Sequence, residues 1–149
     1  MSRTPEETAW NEKLIADFHA HDGQVTLGRL AGASLLVMTC VGSKTGLDRT
    51  CPLGYHRDGK SYVIVGSNFG LPKPPEWVAN VAKDPIVTIE VGTEKFRARA
   101  RVTEGAERRR LLDDRIAAVP IFGDYERKSG RELPVVVLDR IDEPGVTPG

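Results

Sequence analysis

The chain is short of most features that would mark a specialised class. It has no charge excess: 21 Lys and Arg balance 21 Asp and Glu over 149 residues. A dedicated nucleic-acid binder usually carries a basic surplus, so none is expected here, although a local basic pocket remains compatible with neutrality. No apolar run approaches the ~18 residues of a membrane span. The opening "MSRTPEETAWNEK" is polar and acidic, unlike a secretory signal. With only two cysteines and no such signal, a reduced, cytoplasmic protein is the expectation. Histidines are few (His19, His21 and His56), and no cluster of Cys, His or carboxylates has zinc spacing, so no metal site is expected. A Gly-x-Ser-x-Gly elbow is missing. Cys51 and His56 share one strand segment but project to opposite faces, which argues against a Cys–His nucleophile.

What is present reads as one globular domain, 40% apolar and 28% charged. Thr4, Pro5 and Glu7 form a helix start with cap, first-turn proline and capping-box partner. Trp10, Leu14 and Phe18 then recur at helical spacing, giving an N-terminal helix within 1–21. A glycine-rich connection, 22–34, leads into "SLLVMTCVG", a buried strand. After the turn at 42–49 come "TCPLGYHRD", the Asp58-Gly59 hairpin signal and the strand "SYVIVGS". Pro72, Pro74 and Pro75 force a loop, and a short helix runs from about Pro75 to Asp84. "IVTIEVG" and "EKFRARARVTE" alternate as strands. In the second, Phe96, Ala98, Ala100 and Val102 are predicted to face inward, and Lys95, Arg97, Arg99, Arg101 and Thr103 outward. "EGAERRRLLDDRIAAV" is a helix with a stripe of Leu111, Leu112, Ile116 and Val119. "PIFGDYERKSGRE" reads as a loop or short helix, "LPVVVLDRI" as a final buried strand, and 142–149 as a flexible tail. About six strands joined by short turns, with about three helices, imply an antiparallel barrel with peripheral helices, an α+β domain spanning 35–141.

The chemistry concentrates in "CVGSKTGLDRTCPL", residues 40–53. A hairpin needs only two loop residues, yet this turn carries Lys44 and Arg49 among glycines, a serine and threonines. It is too short for a Walker loop and no helix follows it, but backbone amides beside cations can still hold an anion. Cys40 and Cys51 flank the turn symmetrically, so a simple hairpin would set them opposite each other. They are either two small core side chains or a redox pair. Ser67, Asn68 and Lys73 lie on the proline-fixed loop, and Trp77 and Asn80, three apart on the following helix, share a face. Trp77 is as well explained by core packing. Alone, these residues suggest a phosphorylated ligand.

In their order, "GSKTGLDRTCPL", "VGSNFGLPKPPEWVANVAKDP" and "IFGDYERKSGRELPVVVL" resemble the deazaflavin-dependent nitroreductase and quinone reductase family over roughly residues 30 to 140. The resemblance implies a split β-barrel of the flavin-reductase-like, pyridoxamine-phosphate-oxidase-like kind. It implies reduced coenzyme F420 as hydride donor to a quinone, nitroaromatic or other conjugated acceptor. Carried over, it assigns Ser43, Lys44, Thr45 and Arg49 to the coenzyme's phosphate and acidic tail. Pro52 and Leu53 would line the ring pocket, with Ser67, Asn68, Trp77 and Asn80 completing the coenzyme site. Ser43 and Asn68 stand where the family often has basic residues, so the groove is less cationic. Tyr125 keeps one of several tyrosine positions and is the expected donor to the reduced acceptor; Gly54, Val119 and Phe122 occupy others. That argues against nitroimidazole activation and leaves flatter apolar acceptors. Such a hydride transfer needs orientation and no protein nucleophile, in keeping with the lack of a triad. The expected assembly is a monomer or weak homodimer. The N-terminal helix packs on the barrel, closes over the acceptor pocket or touches the inner face of a quinone-bearing membrane. An FMN-dependent oxidoreductase of the same fold, or a non-catalytic lipid or cofactor carrier, are the alternatives.

Overall fold

The computed structural model describes residues 5–27 and 34–141. The expected cap Thr4, residues 28–33 of the connection and the expected tail 142–149 lie outside the described residues. Helix α1 (Pro5–Ala20) is followed by β1 (Leu35–Val41), β2 (Asp48–Gly54), β3 (His56–Asp58) and β4 (Ser61–Val65). Then come α2 (Glu76–Lys83), β5 (Ile86–Val91), β6 (Glu94–Val102), α3 (Gly105–Ala118), α4 (Ile121–Ser129) and β7 (Val135–Arg140).

The seven strands form one antiparallel sheet in the order β2-β1-β5-β6-β7-β4-β3. Its edge strands, β2 and β3, are separated in sequence by Tyr55 alone. One short extended segment therefore reaches from one edge of the sheet to the other, and the sheet must curl into a barrel. "TCPLGYHRD", read as one strand from sequence, is in fact this seam. Pro52 fits because β2 is an edge strand, where a missing N–H need not break a ladder.

The continuous apolar runs of β1 and β7 follow from cover on both faces. Leu36, Met38 and Cys40 of β1 point into the barrel with Trp77, Ile89 and Leu138, while Val37 packs under Leu14 and Phe18 of α1. Val136 and Leu138 of β7 face the barrel interior, while Val135 and Val137 pack with Leu111 and Leu112 of α3. Trp10, placed on the α1 stripe by its spacing, is 44% exposed and takes no part in that cluster.

Two expectations are corrected. The β1–β2 register pairs Met38 with Cys51 and Cys40 with Arg49, so the two buried cysteines sit diagonally and do not face each other. The alternation of β6 fails at its end: Val102 is exposed and Thr103 buried. Thr103 turns in because both its N–H (3.0 Å) and its hydroxyl (2.8 Å) donate to the Val135 carbonyl. The stretch "IFGDYERKS", read as a loop or short helix, is a helix, stopped by Gly130 in the left-handed conformation (φ 66°).

Candidate coenzyme site

The β1–β2 turn is closed from within. The Gly42 N–H donates to the Leu47 carbonyl (2.8 Å) and the Gly46 N–H to the Gly42 carbonyl (2.9 Å). Thr45 Oγ1 accepts the Leu47 N–H at 3.2 Å. Gly46 sits at φ 72°, where a side chain is costly. At Gly42 a Cβ would come within 2.9 Å of Thr45 Oγ1.

Helix α2 fixes the turn from below. The Ser43 N–H donates to buried Asn80 Oδ1 (2.9 Å), while Asn80 Nδ2 reaches Cys40 Sγ (3.7 Å). Lys83, one helical step beyond Asn80, donates from Nζ to the Ser43 carbonyl (2.8 Å). After these bonds, the amides of Lys44 and Thr45 donate to no protein group among the described residues. Lys44 borders a cavity of ≈ 310 Å³, lined also by Val41, Gly42, Ser43, Gly46, Lys83 and Asp84; Thr45 is the next residue of the turn but is not part of that lining. Lys44 and Arg49 are exposed, and among the described residues neither has a carboxylate partner. Open amides flanked by ammonium groups make an anion cradle.

The loop from Gly66 to Pro75 abuts the other end of α2. A Cβ on Gly66 would lie 2.8 Å from Val78 Cγ2, so only glycine allows this approach. Asn68 is left-handed (φ 47°), a conformation asparagine tolerates, and its Nδ2 donates to the Lys73 carbonyl (2.9 Å). Arg131 binds the loop together, donating to the carbonyls of Leu71 (3.2 Å), Ser67 (3.2 Å) and Lys73 (3.1 Å). Thus Ser43, Lys44, Thr45 and Asn80 meet at one end of α2, and Ser67 and Asn68 lie at the other. Trp77 is buried among the residues of the barrel core. Leu53 packs half-buried on the same core, next to Pro52. Tyr125 stands apart from the turn: its ring packs on the α3 cluster, edge-to-face with Phe122 (5.6 Å). A Cβ on Gly70 would lie 3.2 Å from the Tyr125 Cα, so α4 rides on the 68–70 turn.

Sequence reasoning missed Lys83, Arg131 and a polar group at the barrel seam. There, both ring nitrogens of His56 are sealed from solvent without a partner among the described residues. Burial first, and the Arg115 charge second, hold His56 below its ordinary pKa. The folded state therefore resists protonating it, while the unfolded chain takes a proton near about pH 6.5. His56 should thus leave stability intact above that value and erode it as pH falls toward the depressed folded pKa. Denaturant unfolding at pH 7.5 and 5.5 should show a loss that His56→Phe reduces; an equal loss in both proteins would contradict this.

A profile of the F420H(2)-dependent quinone reductase family matches residues 12–140. An F420H(2)-dependent quinone reductase of Mycobacterium tuberculosis (strain ATCC 25618 / H37Rv) is 36% identical over 119 residues, 75% of this chain and 78% of the relative. Among solved structures, an F420-H2 dependent reductase (FDR-A) is 31% identical with TM-score 0.65, over 71% of this chain and 94% of that one. Another, described as a domain-swapped dimer, is 28% identical with TM-score 0.67, over 91% and 100%. The fold is the split β-barrel shared with pyridoxamine-phosphate-oxidase-like proteins. Barrel, basic turn and matched length agree, and the chain belongs to the F420H(2)-dependent quinone reductase family of oxidoreductases, whose hydride donor is reduced coenzyme F420.

Proposed function

We propose that this chain reduces a quinone or another conjugated acceptor, nitroaromatics included, with the β1–β2 turn holding the phosphate and acidic tail of F420. The observation that carries the reading is the cavity at the turn, where Lys44, with an amide that donates to no protein group among the described residues, and Lys83 both contribute to the lining. When bound, reduced F420 supplies a hydride, which with one proton completes a two-electron reduction of the acceptor. The chain's part is orientation. Ser43, Lys44, Thr45 and Arg49 bind the anionic end. Asn80 acts indirectly, fixing the turn through the Ser43 amide. Pro52 and Leu53 face the ring, and Ser67 and Asn68 bind from the loop that Arg131 braces. Trp77 stiffens α2 from the core. Tyr125, half-buried on α4, donates a hydrogen bond to the acceptor's oxygen.

No described helix is long and apolar enough to cross a membrane. Exposed Trp10 on α1 supports a peripheral contact at the inner face of a membrane where quinones partition. The outward face of β6, with Lys95, Arg97, Arg99 and Arg101 exposed, offers no apolar patch that demands a partner and supports a monomer or weak homodimer.

Fluorescence titration with F420, and with FMN in parallel, tests the reading. Lys44→Ala should weaken F420 binding about tenfold, the value of one charge-assisted contact, with its unfolding midpoint unchanged. Unaltered affinity in the folded variant would remove the turn from the site. Saturable FMN binding without F420 binding would instead favour a flavin enzyme.

A further inference from the structure

Arg115 is a buried cation that meets no anion among the described residues. It lies in the last turn of α3 and is only 9% exposed. Its guanidinium is stacked over the Phe122 ring, 4.7 Å from the centroid. One terminal nitrogen, Nη2, comes within 2.8 Å of where a Cβ on Gly54 would stand, so the group fills the space a side chain there would take. No carboxylate meets it among the described residues. The nearby acids turn elsewhere: Asp58 pairs with Arg110 at 3.3 Å and Asp114 with the same arginine at 3.6 Å. Burial alone accounts for the lowering of the Arg115 pKa, with no acidic neighbour opposing it.

Such a residue needs a reason. The α3 C-terminus and the Phe122 face each offset part of the cost of burying the charge. Neither satisfies the planar fork of donors, which suits a carboxylate in two-point contact. The sealed, partnerless side-chain nitrogens among the described residues belong to His56, Arg108 and Arg131. Those of Arg115 are not among them and keep a path to solvent. His56, held neutral beside it, adds no competing charge. The location is also pertinent: Gly54 directly follows Pro52 and Leu53 on β2, and Phe122 is one helical step from Tyr125 on α4.

We infer that Arg115, backed by Phe122 and admitted by Gly54, forms an anion subsite selecting acceptors that carry a carboxylate on a flat conjugated ring. The inference rests on the reductase reading for what the acceptor is, but not for whether the subsite binds. The probes are a carboxylated 1,4-naphthoquinone and its neutral methyl ester, their binding followed by tryptophan quenching without coenzyme. Wild-type protein should prefer the acid by about tenfold or more, as for a hydrogen-bonded charge pair. Arg115→Gln should bring the ratio near one by weakening the acid alone, and Arg115→Lys should keep part of the preference. An equal affinity for acid and ester in the wild type, or an undiminished ratio in Arg115→Gln, overturns the subsite. The wild-type ratio decides even if the variants fold poorly. Turnover with F420H2 is measured separately: a retained acid preference without turnover of either quinone would overturn the reductase reading while supporting the subsite.

Discussion

Arg131→Ala should lower stability by about 2–4 kcal/mol, the scale for losing charge-assisted hydrogen bonds to loop carbonyls, and should loosen coenzyme binding with it. The reason lies in the composition of the loop it serves. Pro72, Pro74 and Pro75 hold the chain extended but provide no N–H; the Ser67 carbonyl accepts the Gly70 N–H (2.9 Å) and the Lys73 carbonyl accepts Asn68 Nδ2 (2.9 Å), while the Leu71 carbonyl has no donor from the loop among the described bonds. The Arg131 guanidinium supplies the donor to Leu71 and a second, charged one to Ser67 and Lys73, reaching all three at 3.1–3.2 Å. Gly130, left-handed at the end of α4, turns the chain so that the next residue faces the loop. Burial pulls the Arg131 pKa down, yet from so high an ordinary value that the side chain stays charged at neutral pH. Lysine carries the charge without the fork, so Arg131→Lys should recover only part of the loss. Urea unfolding followed by F420 titration separates the two effects. A variant within ~0.5 kcal/mol of wild type, the usual range for a neutral surface change, would mean that water replaces the arginine without cost.

The parts of this site that could be read from sequence are those set by local chemistry. Gly42 to Gly46 announced a turn because glycines and small hydroxyl residues accept few other conformations, and its cations stood out against a neutral chain. Trp77 and Asn80 could be placed on one helix face by spacing alone. Lys83 obeyed the same rule, three residues beyond Asn80, and could have been found that way. Arg115 and Arg131 could not. Each sits in a stretch rich in charge, "ERRRLLDDR" and "ERKSGRE", where a solvated face is the ordinary outcome. Only the return of β2, the 66–75 loop and α4 to the same place gives these arginines their tasks. The barrel seam was hidden for a related reason. Nothing local distinguishes a strand that continues from one that changes edge at Tyr55, because the difference lies in which strands pair with each half.

That division also separates anchoring from selection. On the proposed reading the turn and α2 hold the coenzyme's anionic end, in a geometry closed by backbone bonds and one buried amide. The seam carries side chains with unused hydrogen-bonding capacity, His56 and Arg115. If both proposals hold, coenzyme retention and acceptor choice should be separable. Lys44→Ala should act on the first and leave the acid-to-ester ratio unchanged, whereas Arg115→Gln should do the reverse.

The attachment of α1 gives the other large effect. Gly23→Ala should cost about 3 kcal/mol, combining a left-handed alanine with overpacking against backbone. Gly23 lies at φ 86°, and a Cβ there would fall 2.3 Å from the Gly92 Cα and 2.5 Å from its carbonyl oxygen. Side chains can swing away from such a clash, but Gly92 is backbone in the β5–β6 turn and must move with its hairpin. The alternative is for α1 to lift, exposing Phe18 and Leu14, now 2% and 3% exposed over Val25 and Val37. It would also break the His19–Glu90 contact at 2.8 Å. Gly59→Ala is the control: it has a similar positive φ of 59° with nothing within 4 Å, so strain alone should cost it about 1 kcal/mol. The difference between the two variants isolates the close approach. Hydrogen exchange in Gly23→Ala should quicken through 5–20 while β5–β7 stay protected, and F420 affinity should hold, since α1 contacts β2 but the described bonds that fix the turn run to α2. Loss of barrel protection together with the helix would instead make α1 part of one cooperative unit. Loss of F420 affinity with the barrel intact would make α1 a cover of the site.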